Sequence, residues 1–585
     1  MPFENAQKWL DERFSIANPT KCSHTSYCEW ELSASFDGII GDKIRVQLPF
    51  SPVEPIRFYF APDNYLKIPH VEKDGKVCIG FPVYPDGLTD IIEPIKIALS
   101  ELNQFIDNVS NPAWRKKEFR AESLSYWNRY VLEHGASKKS SKQIDNTYIY
   151  LPTNEEVTSL ETISFTRKLR DGKKTQTIIV SDNIHSPQLL AKNHGWDTGT
   201  LVNGSAIYIP VPDDASWTPF DWPSNFSQLT KTVLAFTKEL VNLDDPAILE
   251  FDIQKGNPQP AKLVIFVQDN VTFTYVIWLK GNGKLASVSI LPLSLTRVDP
   301  QWVLARDQNL DNLSNRLSKR VLVLGCGSLG SPIADMLARA GIGKIDLSDI
   351  ELFNTENVSR HLLGVKAERR SKAESLADRI RSDIPNIDIN GRLESAVQRI
   401  KMSKIGDYDL VLDCTANQEV RMLISTEREK HLGNIPVIHT WLEVHGVASH
   451  VVITFPDDPW PINDPLDKIN IAANSSDELQ IKVPACGAGF YPYGYSDALK
   501  AASLTAEKAL AVIDGEITSS EIVSSVKSAA YFKKHGVEIH KPDLASSQPD
   551  TDSNTIIRDY SILHQDGPID YDLLLAKRRL ASQNG

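Results

Sequence analysis

The order of apolar and polar positions divides the chain into parts with different predicted secondary structure. Between about residues 145 and 310, the short apolar runs KLVIFVQ, FTYVIWLK and KLASVSIL predict strands, and Gly281-Asn282-Gly283 predicts a hairpin turn between the last two. From residue 319, strand-like runs alternate with helical segments, in the order KRVLVLG, a helix near 329–340, KIDLSD, a helix across 371–383, DLVLDCT, a helix through 417–431 and PVIHTWLEV. This alternation predicts a parallel sheet with covering helices.

The N-terminal part has a third pattern. Proline-punctuated strands in VQLPFSPVEPIRFYF precede KIPHVEKDGKVCIGF and then a long helix in IIEPIKIALSELNQFI, which predicts an α+β domain. The small, polar and basic stretch GASKKSSKQ predicts a linker after it. We therefore predict a multidomain α/β protein. It has an N-terminal domain (1–134), a linker (135–144), a β-rich middle domain (145–310), an α/β domain (311–540), and a polar linker with a C-terminal tail (541–585).

Composition narrows the possible class of protein. A chain of 585 residues has room for three or four domains, and its hydrophobic fraction of 41% and charged fraction of 24% are ordinary for globular proteins. The net charge of −12 disfavours nucleic acid as a partner. No apolar run approaches the roughly 18 residues of a membrane span, and the first residues are too charged for a signal peptide. We expect a cytoplasmic protein with no membrane partner.

A glycine turn is the first candidate for chemistry. Gly325, Gly327 and Gly330 lie in GCGSLG, between a predicted strand and a predicted helix, where backbone N–H groups can face a phosphate. A nicotinamide dehydrogenase has the same turn, and Asp349 and Glu351 lie where such an enzyme holds ribose hydroxyls. The turn alone therefore leaves the cofactor open.

Three further side chains favour a triphosphate over a dinucleotide. Asn357, Arg360 and Lys372 follow the second strand of this region and supply an amide, a guanidinium and an ammonium group. The order and spacing of the glycine turn, the acid-x-acid pair, Asn-x-x-Arg and the downstream lysine resemble the ThiF/MoeB/ubiquitin-activating superfamily, over about residues 310–530. A dehydrogenase has no need of Arg360 or Lys372.

The resemblance implies an adenylating fold that binds ATP and Mg²⁺. By position, Asp349 and Glu351 would hold the ribose, and Asn357, Arg360 and Lys372 would contact the phosphates. The family places a magnesium-binding aspartate where this chain has Ala416, so Asp413 becomes the candidate metal ligand. The family also pairs as a homodimer with an arginine donated across the interface, and Arg306 is the candidate for that role.

Two cysteines are candidates for covalent catalysis. Cys486, in VPACGAGFYPYGYSDAL, resembles the catalytic cysteine of activating enzymes, and Ser496 is a plausible N-cap of the helix that follows. A thiolate at this position converts an acyl-adenylate into a thioester. A buried loop cysteine is the alternative interpretation, because reactivity depends on a thiol pKa that the sequence does not reveal.

The second cysteine is Cys78, in the N-terminal domain. Strands, a Pro-His pair, a turn at Asp74-Gly75, Cys78 and a long helix resemble a ubiquitin-conjugating fold, with His70 eight residues before Cys78. The proline and asparagine of the family's His-Pro-Asn tripeptide are missing. His70 therefore fits a structural role better than a role as base, and Cys78 itself has a purely structural alternative.

Together, the two modules look like the bacterial activating–conjugating fusion of CBASS anti-phage operons. The resemblance implies adenylation of the C-terminal carboxylate of a protein, capture on Cys486, transfer to Cys78 and conjugation to an amine of an acceptor protein or small molecule. In that family the conjugated protein is a cGAS-like nucleotidyltransferase. A sulfur-carrier-protein adenylyltransferase like MoeB and a non-catalytic scaffold are the alternatives.

Overall fold

A computed structural model gives two compact units, Met1–Val298 and Asp299–Gly585, which we describe separately. The structure describes residues 2–13, 27–33, 36, 38–49, 51, 53–80, 82–84, 92–135, 142–151, 158–168, 174–181, 186–237, 262–280, 287–304, 310–384, 387–402, 405–461, 464, 466–473, 481–482, 489–490, 492–545, 551–552 and 555–556. The predicted turn at 281–283, Arg306, Cys486 and most of the C-terminal tail lie outside these residues.

The first unit begins with a four-stranded antiparallel sheet. Its strands, in spatial order, are β1 (Tyr27–Ser33), β2 (Lys43–Pro49), β3 (Arg57–Tyr59) and β4 (Lys76–Val77). The helices of this part are Pro2–Arg13, Ile92–Val109, Pro112–Ala121 and Ser123–His134. The second helix buries Ile95, Ala98, Leu102, Phe105 and Val109, at the three- and four-residue spacing of one helix face. That face shares one hydrophobic core with the strands.

An eight-stranded sheet forms the rest of the first unit, in the order β11-β10-β9-β8-β6-β7-β5-β12. The strands are β5 (Lys142–Ile149), β6 (Thr158–Lys168), β7 (Lys174–Ser181), β8 (Thr200–Pro210), β9 (Lys262–Gln268), β10 (Val271–Lys280), β11 (Ser287–Leu293) and β12 (Thr296–Arg297). Two helices, Pro187–Asn193 and Phe226–Thr237, accompany it. The β-rich character predicted for this region agrees with the structure.

The helix Ser123–His134 joins the two sheets of the first unit. Trp127 on this helix is buried, and its indole N–H donates to the carbonyl oxygen of Leu293 over 3.2 Å. Its ring also packs edge-on against Trp222, Phe273 and Tyr275. The last helix before the predicted linker is therefore fixed to the eight-stranded sheet, and β5 begins at Lys142, inside the residues predicted as linker.

The second unit contains the predicted parallel sheet. Its seven strands have the order β15-β14-β13-β16-β17-β18-β21, and the first five are parallel to one another. These strands are β13 (Arg320–Leu324), β14 (Lys344–Asp349), β15 (Asp388–Leu393), β16 (Leu410–Asp413), β17 (Val437–Leu442), β18 (Ala448–Thr454) and β21 (Glu521–Val526). Two-stranded pairs are β19 (Ile481–Lys482) with β20 (Gly489–Phe490), and β22 (Thr551–Asp552) with β23 (Thr555–Ile556).

The α-helices of the second unit are Pro300–Val303, Leu310–Leu317, Gly330–Arg339, Lys372–Asp383, Ala396–Met402, Gln418–Thr426, Tyr495–Ile513 and Ala529–Lys534. The helix Tyr495–Ile513 is capped by Gly494, whose N–H donates to the Asp497 carboxylate over 3.0 Å. The predicted N-cap at Ser496 is therefore wrong, because the helix begins one residue before it. None of the helices in the described part of the chain combines the length and apolar character needed to cross a bilayer.

Candidate functional site

The glycine turn lies at the carboxyl end of β13, beside the ends of β14 and β16. Gly325 has a φ of +87°, which favours glycine, and its N–H donates to the carbonyl oxygen of Ser348 over 2.8 Å. A Cβ on Gly330 would collide with the carbonyl oxygen of Gly325, whereas a Cβ on Gly327 would meet no atom within 4 Å. Gly330 is therefore needed for the turn itself, and Gly327 leaves space at its open side.

Asp349 ties the turn to the end of β14. Its Oδ2 accepts the Cys326 N–H over 2.7 Å, and its Oδ1 accepts the Glu351 N–H over 2.7 Å. Burial raises the pKa of the Asp349 carboxyl, while the two backbone hydrogen bonds and the Lys372 charge act in the opposite direction. The carboxylate is thus held in one orientation at the floor of the turn.

Lys372 begins the helix Lys372–Asp383 and forms an ion pair with Glu351. The lysine side chain is only 6% exposed, whereas the Glu351 side chain is 66% exposed. The Lys372 N–H also donates to the Glu351 carbonyl oxygen over 3.1 Å, so backbone and side chain are both fixed at the same place. The structure therefore holds a buried ammonium group beside an accessible carboxylate.

His361 is a residue of this site that the sequence analysis missed. Its Nε2 lies 2.6 Å from the carbonyl oxygen of Cys326, and its Nδ1 accepts the Leu363 N–H over 3.0 Å. Nε2 must therefore be the protonated nitrogen of a neutral ring, and burial lowers the pKa of His361 to about 4. The imidazole fastens the glycine turn to the segment that carries Arg360. Its only signal in the sequence is its place next to Arg360.

A cavity of about 390 Å³ opens at this edge of the sheet. The residues that line it are Gly325, Gly327, Ser348, Asp349, Ile350, Glu351, Ser395, Ala396, Val397, Cys414, Thr415, Asn417, Glu419 and Val420. Four of the predicted nucleotide ligands are among them, namely Gly325, Gly327, Asp349 and Glu351. Lys372 contacts the cavity wall through its ion pair with Glu351. Open backbone beside Gly327 and acidic acceptors in the same wall fit a nucleotide with its ribose hydroxyls.

Arg360 lies at a second cavity, of about 540 Å³. This cavity is lined by Glu356, Ser359, Arg360, His445, Pro492, Tyr493, Gly494, Asp497, Tyr531 and His535. The Arg360 guanidinium lies 5.9 Å from the ring centroid of Tyr493, and the Tyr493 hydroxyl is 2.7 Å from Ser328 Oγ in the glycine turn. Arg360 thus lies in a different cavity from the glycine turn, and Tyr493 contacts both Arg360 and Ser328 of that turn.

Asn357 belongs to the short turn that positions Arg360. Its Oδ1 accepts the Asn354 N–H over 3.1 Å, and its own carbonyl oxygen accepts the Arg360 N–H over 3.0 Å. These bonds close the 3-10 turn Thr355–Asn357. Asn357 therefore fixes the backbone from which Arg360 projects.

Asp413 does not offer a suitable place for magnesium. Its side chain is 1% exposed, its Oδ2 lies 2.8 Å from His439 Nδ1, and its Oδ1 accepts both the N–H and the hydroxyl of Thr415, over 3.1 and 2.6 Å. Across the described residues, no group of three or more His, Cys, Asp or Glu side chains is arranged to hold a metal ion. The residues present do not fit the metal, and Asp413 instead supports the loop through Ala416.

The free cysteines among the described residues differ in exposure. Cys326 and Cys414 lie near the glycine turn, and burial raises the pKa of both thiols, so these two are unsuited to nucleophilic attack. Cys78, by contrast, is exposed, directly after β4. Its N–H donates to the His70 carbonyl oxygen over 2.8 Å, and its Sγ lies 3.3 Å from Glu72 Oε1.

His70 is held away from the thiol by other partners. Its Nε2 lies 3.1 Å from Glu118 and its Nδ1 lies 3.4 Å from Glu122, while its backbone N–H donates to the Tyr126 hydroxyl over 2.7 Å. The residue has a φ of +63°. These contacts agree with the structural role that the sequence favoured for His70.

Comparison with known proteins gives a family match in the C-terminal region. Residues 301–546 match the ThiF family. The chain is 26% identical over 299 residues to the ATP-dependent ubiquitin transferase-like protein Cap2 of Pseudomonas aeruginosa, covering 46% of this chain and 51% of the relative. It is 36% identical over 121 residues to the adenylyltransferase and sulfurtransferase UBA4 of Yarrowia lipolytica, covering 21% of this chain and 30% of the relative.

The chain thus spans about half the length of its Cap2 relative. The fold is similar to a crystal structure of E. coli MccB with MccA-N7isoASN over 37% of this chain and 63% of the MccB chain, at 15% sequence identity. The TM-score of 0.31 is too low for this similarity to add to the sequence match. The predicted resemblance to the ThiF/MoeB superfamily is confirmed by the match over residues 301–546, and that to ubiquitin-like conjugation proteins by the Cap2 relatives.

Proposed function

Residues 301–546 match the ThiF family, and from this premise we propose that the chain uses ATP to adenylate the C-terminal carboxylate of a protein and passes it on by thioester transfer. The observation that carries the proposal is the gathering of the glycine turn, the fixed Asp349 carboxylate and the Lys372–Glu351 ion pair at one edge of a parallel sheet. A nucleotide is the ligand class that this combination favours.

Backbone groups and side chains are assigned to different parts of the nucleotide. Backbone groups of Gly325, Gly327 and Gly330 lie against the phosphates, and Asp349 and Glu351 accept hydrogen bonds from the ribose hydroxyls. Lys372 turns from Glu351 toward the phosphates. ATP supplies the adenylyl group that makes the carboxylate electrophilic.

Arg360 acts from the neighbouring cavity. We assign it to the side of the phosphates where the protein carboxylate arrives, and Asn357 keeps it there by closing its turn and offers an amide toward the same phosphates. A guanidinium between two anions suits this place, since it attracts the carboxylate and offsets charge that develops during transfer. No step is assigned to a metal ion, because Asp413 is already surrounded by protein donors.

Thiol transfer follows adenylation in the proposed order. Cys486 takes the acyl group from the adenylate, Cys78 receives it by thioester exchange, and an amine of an acceptor protein or small molecule takes it from Cys78. The exposed Cys78 on an antiparallel sheet with flanking helices supports a ubiquitin-conjugating-like role for residues 1–134. A cGAS-like nucleotidyltransferase is the proposed protein substrate, and a homodimer with Arg306 at the interface is the proposed assembly.

Pyrophosphate exchange into ATP tests the adenylation step. Exchange should require the protein substrate, should fall at least about 100-fold in Arg360→Ala and Lys372→Ala, and should persist in Cys486→Ala. Unchanged exchange in both phosphate-site variants would remove the basis of the assignment. Light scattering of the same samples checks the dimer, which a fully active monomer would contradict.

Non-reducing gels with ATP and the protein substrate test the order of the thiols. Cys78→Ala should accumulate a reductant-sensitive adduct on Cys486, whereas Cys486→Ala should leave both thiols unloaded. Loading of Cys78 in the Cys486→Ala enzyme would reverse the proposed order.

Activation of a sulfur carrier is the second candidate function. It is favoured by the similarity to UBA4, an adenylyltransferase and sulfurtransferase. Such an enzyme would adenylate its substrate without Cys78. Adenylation by the wild-type chain with no conjugate to an amine would favour this candidate, whereas complete conjugation by Cys78→Ala would favour a scaffold role for the N-terminal domain.

A further inference from the structure

A tight turn brings an acidic side chain to Cys78. Val71 and Val77 form an antiparallel bridge, Glu72 N–H donates to the Lys76 carbonyl oxygen over 2.7 Å, and Gly75 N–H donates back to Glu72 over 2.9 Å. Gly75 has a φ of +89°, and a Cβ there would collide with the carbonyl oxygen of Phe60. The turn therefore requires glycine at position 75, and it places the Cys78 Sγ 3.3 Å from Glu72 Oε1.

The groups around the Cys78 thiol have opposite effects on its pKa. Partial burial of the sulfur raises the pKa of the Cys78 thiol, and the hydrogen bond to Glu72 and its negative charge raise it further, while the charges of Lys76 and Arg129 lower it. The Lys76 Nζ is 3.4 Å from the same Glu72 oxygen. A carboxylate at this place disfavours the thiolate, which a nucleophilic cysteine needs.

The same carboxylate has a use once the sulfur is acylated. A thioester carries no charge, so the penalty on the thiolate disappears, and a negative oxygen beside it attracts an incoming ammonium group and can accept its proton. His70 is not placed for this task, because its ring nitrogens face Glu118 and Glu122. Glu72 is the acidic side chain that the structure places against the sulfur.

We propose that Glu72 is a catalytic residue that selects primary amines as acceptors at Cys78 and transfers their proton. The proposal rests on the proposed function of Cys78 as a thioester carrier. An incoming ammonium group first gives one proton to Glu72, which releases it to water. The neutral amine nitrogen then attacks the thioester carbonyl carbon, forming the C–N bond as the C–S bond breaks. Glu72 takes the second proton that the nitrogen loses and delivers it to the departing sulfur, so that amide and thiol are the products and Glu72 is again a carboxylate.

The experiment loads Cys78 chemically, without the unidentified protein substrate. The full-length Cys486→Ala chain is acylated with a Gly-Gly mercaptoethanesulfonate thioester, and the acyl group on Cys78 is quantified by mass spectrometry. Its discharge is then timed with free lysine and, separately, with 2-mercaptoethanol. The variants are Glu72→Gln and, as a matched control, Glu31→Gln, which breaks an exposed ion pair with Lys43 elsewhere in the same sheet.

At about pH 7.5, Glu72→Gln should slow discharge by lysine about 10-fold or more, and Glu31→Gln should leave it unchanged. Discharge by 2-mercaptoethanol should be unaffected in both variants, because an attacking thiolate brings no ammonium proton. The difference in lysine discharge should shrink toward about pH 10, where lysine itself becomes neutral. Alkylation of unloaded Cys78 by iodoacetamide at about pH 7.5 should become faster in Glu72→Gln, since its thiol pKa falls.

Equal discharge by lysine in Glu72→Gln and the parent chain would overturn the proposal, and so would an equal loss with lysine and with thiol. Failure of Cys78 to accept the acyl group would overturn it as well. These results are distinct from a failure of the proposed function, which the ATP-dependent exchange and gel experiments report with the wild-type chain. Thermal unfolding of Glu72→Gln confirms that the comparison concerns folded protein.

Discussion

The two candidate sites of this chain are built in different ways. At the edge of the parallel sheet, the functional groups already have protein partners, as Asp349 does with two backbone N–H groups and Lys372 with Glu351. Cys78 is an exposed residue, and one short turn sets its surroundings. Under the proposed function, the first site receives a charged ligand by exchange of partners, whereas the second presents its sulfur directly.

This difference shows how each site can change without loss of the fold. A buried, fully partnered site transmits any substitution to the sheet that supports it, because its side chains also close backbone hydrogen bonds. A surface turn allows substitution of one charged side chain with little effect on stability. Substitutions of the partnered or closely packed groups at the sheet edge should therefore alter stability and activity together, and substitutions beside Cys78 should alter activity alone.

The largest expected effect concerns two of the three glycines of the turn, Gly327 and Gly330. Gly330→Ala forces a methyl group onto the Gly325 carbonyl oxygen, and we expect the unfolding free energy of the second unit to fall by about 3 kcal/mol or more. Gly327→Ala, where the new methyl group meets open space, should keep the fold and weaken ATP binding. Thermal unfolding and ATP titration of both variants in the full chain measure the two effects. Equal stability of the two would break the comparison.

The next effect is the pH dependence that His361 gives to the sheet edge. Because its folded pKa of about 4 lies below the ordinary value of 6.5, the unfolded chain binds a proton that the folded chain excludes. Stability should therefore fall as the pH falls through 6.5, by about 2 kcal/mol between pH 7 and pH 5, and the decline should end below about pH 4.

Hydrogen exchange of amides in β13 and β14, compared at the two pH values, measures this loss. His361→Gln removes the titrating ring. Between pH 7 and pH 5, the unfolding free energy of this variant should therefore fall by about 2 kcal/mol less than that of the parent chain. An identical pH dependence in the parent chain and in His361→Gln would show that the imidazole has no such role.

The smallest expected effect is at Ala416, which has a φ of +53° on an exposed loop after β16. A non-glycine residue with this backbone conformation is strained by about 1 to 2 kcal/mol. Glycine relieves that strain, but it also increases the conformational entropy of the unfolded chain, which offsets part of the gain in stability. Ala416→Gly should raise the unfolding free energy by up to about 1 kcal/mol, measured by denaturant unfolding. A loss of stability would contradict the account of the strain.

The sheet of the second unit was predictable because its signals are local. The strands KRVLVLG and KIDLSD, the glycine turn and the helices between them follow from apolar periodicity and the position of three glycines. The position of Asp349 and Glu351 at the edge of the sheet was also predictable, since they lie directly at the end of a predicted strand, and both line the cavity there. The match of residues 301–546 to the ThiF family agrees with that local pattern.

Features that depend on contacts distant in the sequence could not be predicted in this way. The partners of His70 lie 48 and 52 residues away, and nothing local indicated that Arg360 would line a different cavity from Gly325. The N-cap at Gly494 was missed because glycine has no side chain to signal a cap, and the Asp497 carboxylate accepts its N–H from three residues further along. The donors that surround Asp413 come from the loop after β16 and from β17, and only the folded sheet brings them together.

The packing of Trp127 has a consequence for the backbone that carries Cys78. The Trp127 indole fixes the helix Ser123–His134 to the eight-stranded sheet, and the hydroxyl of the neighbouring Tyr126 accepts the backbone N–H of His70. The His70 carbonyl oxygen in turn accepts the N–H of Cys78. A substitution at Trp127 therefore reaches the backbone of Cys78 through Tyr126 and His70, although it changes nothing in the segment that contains the cysteine.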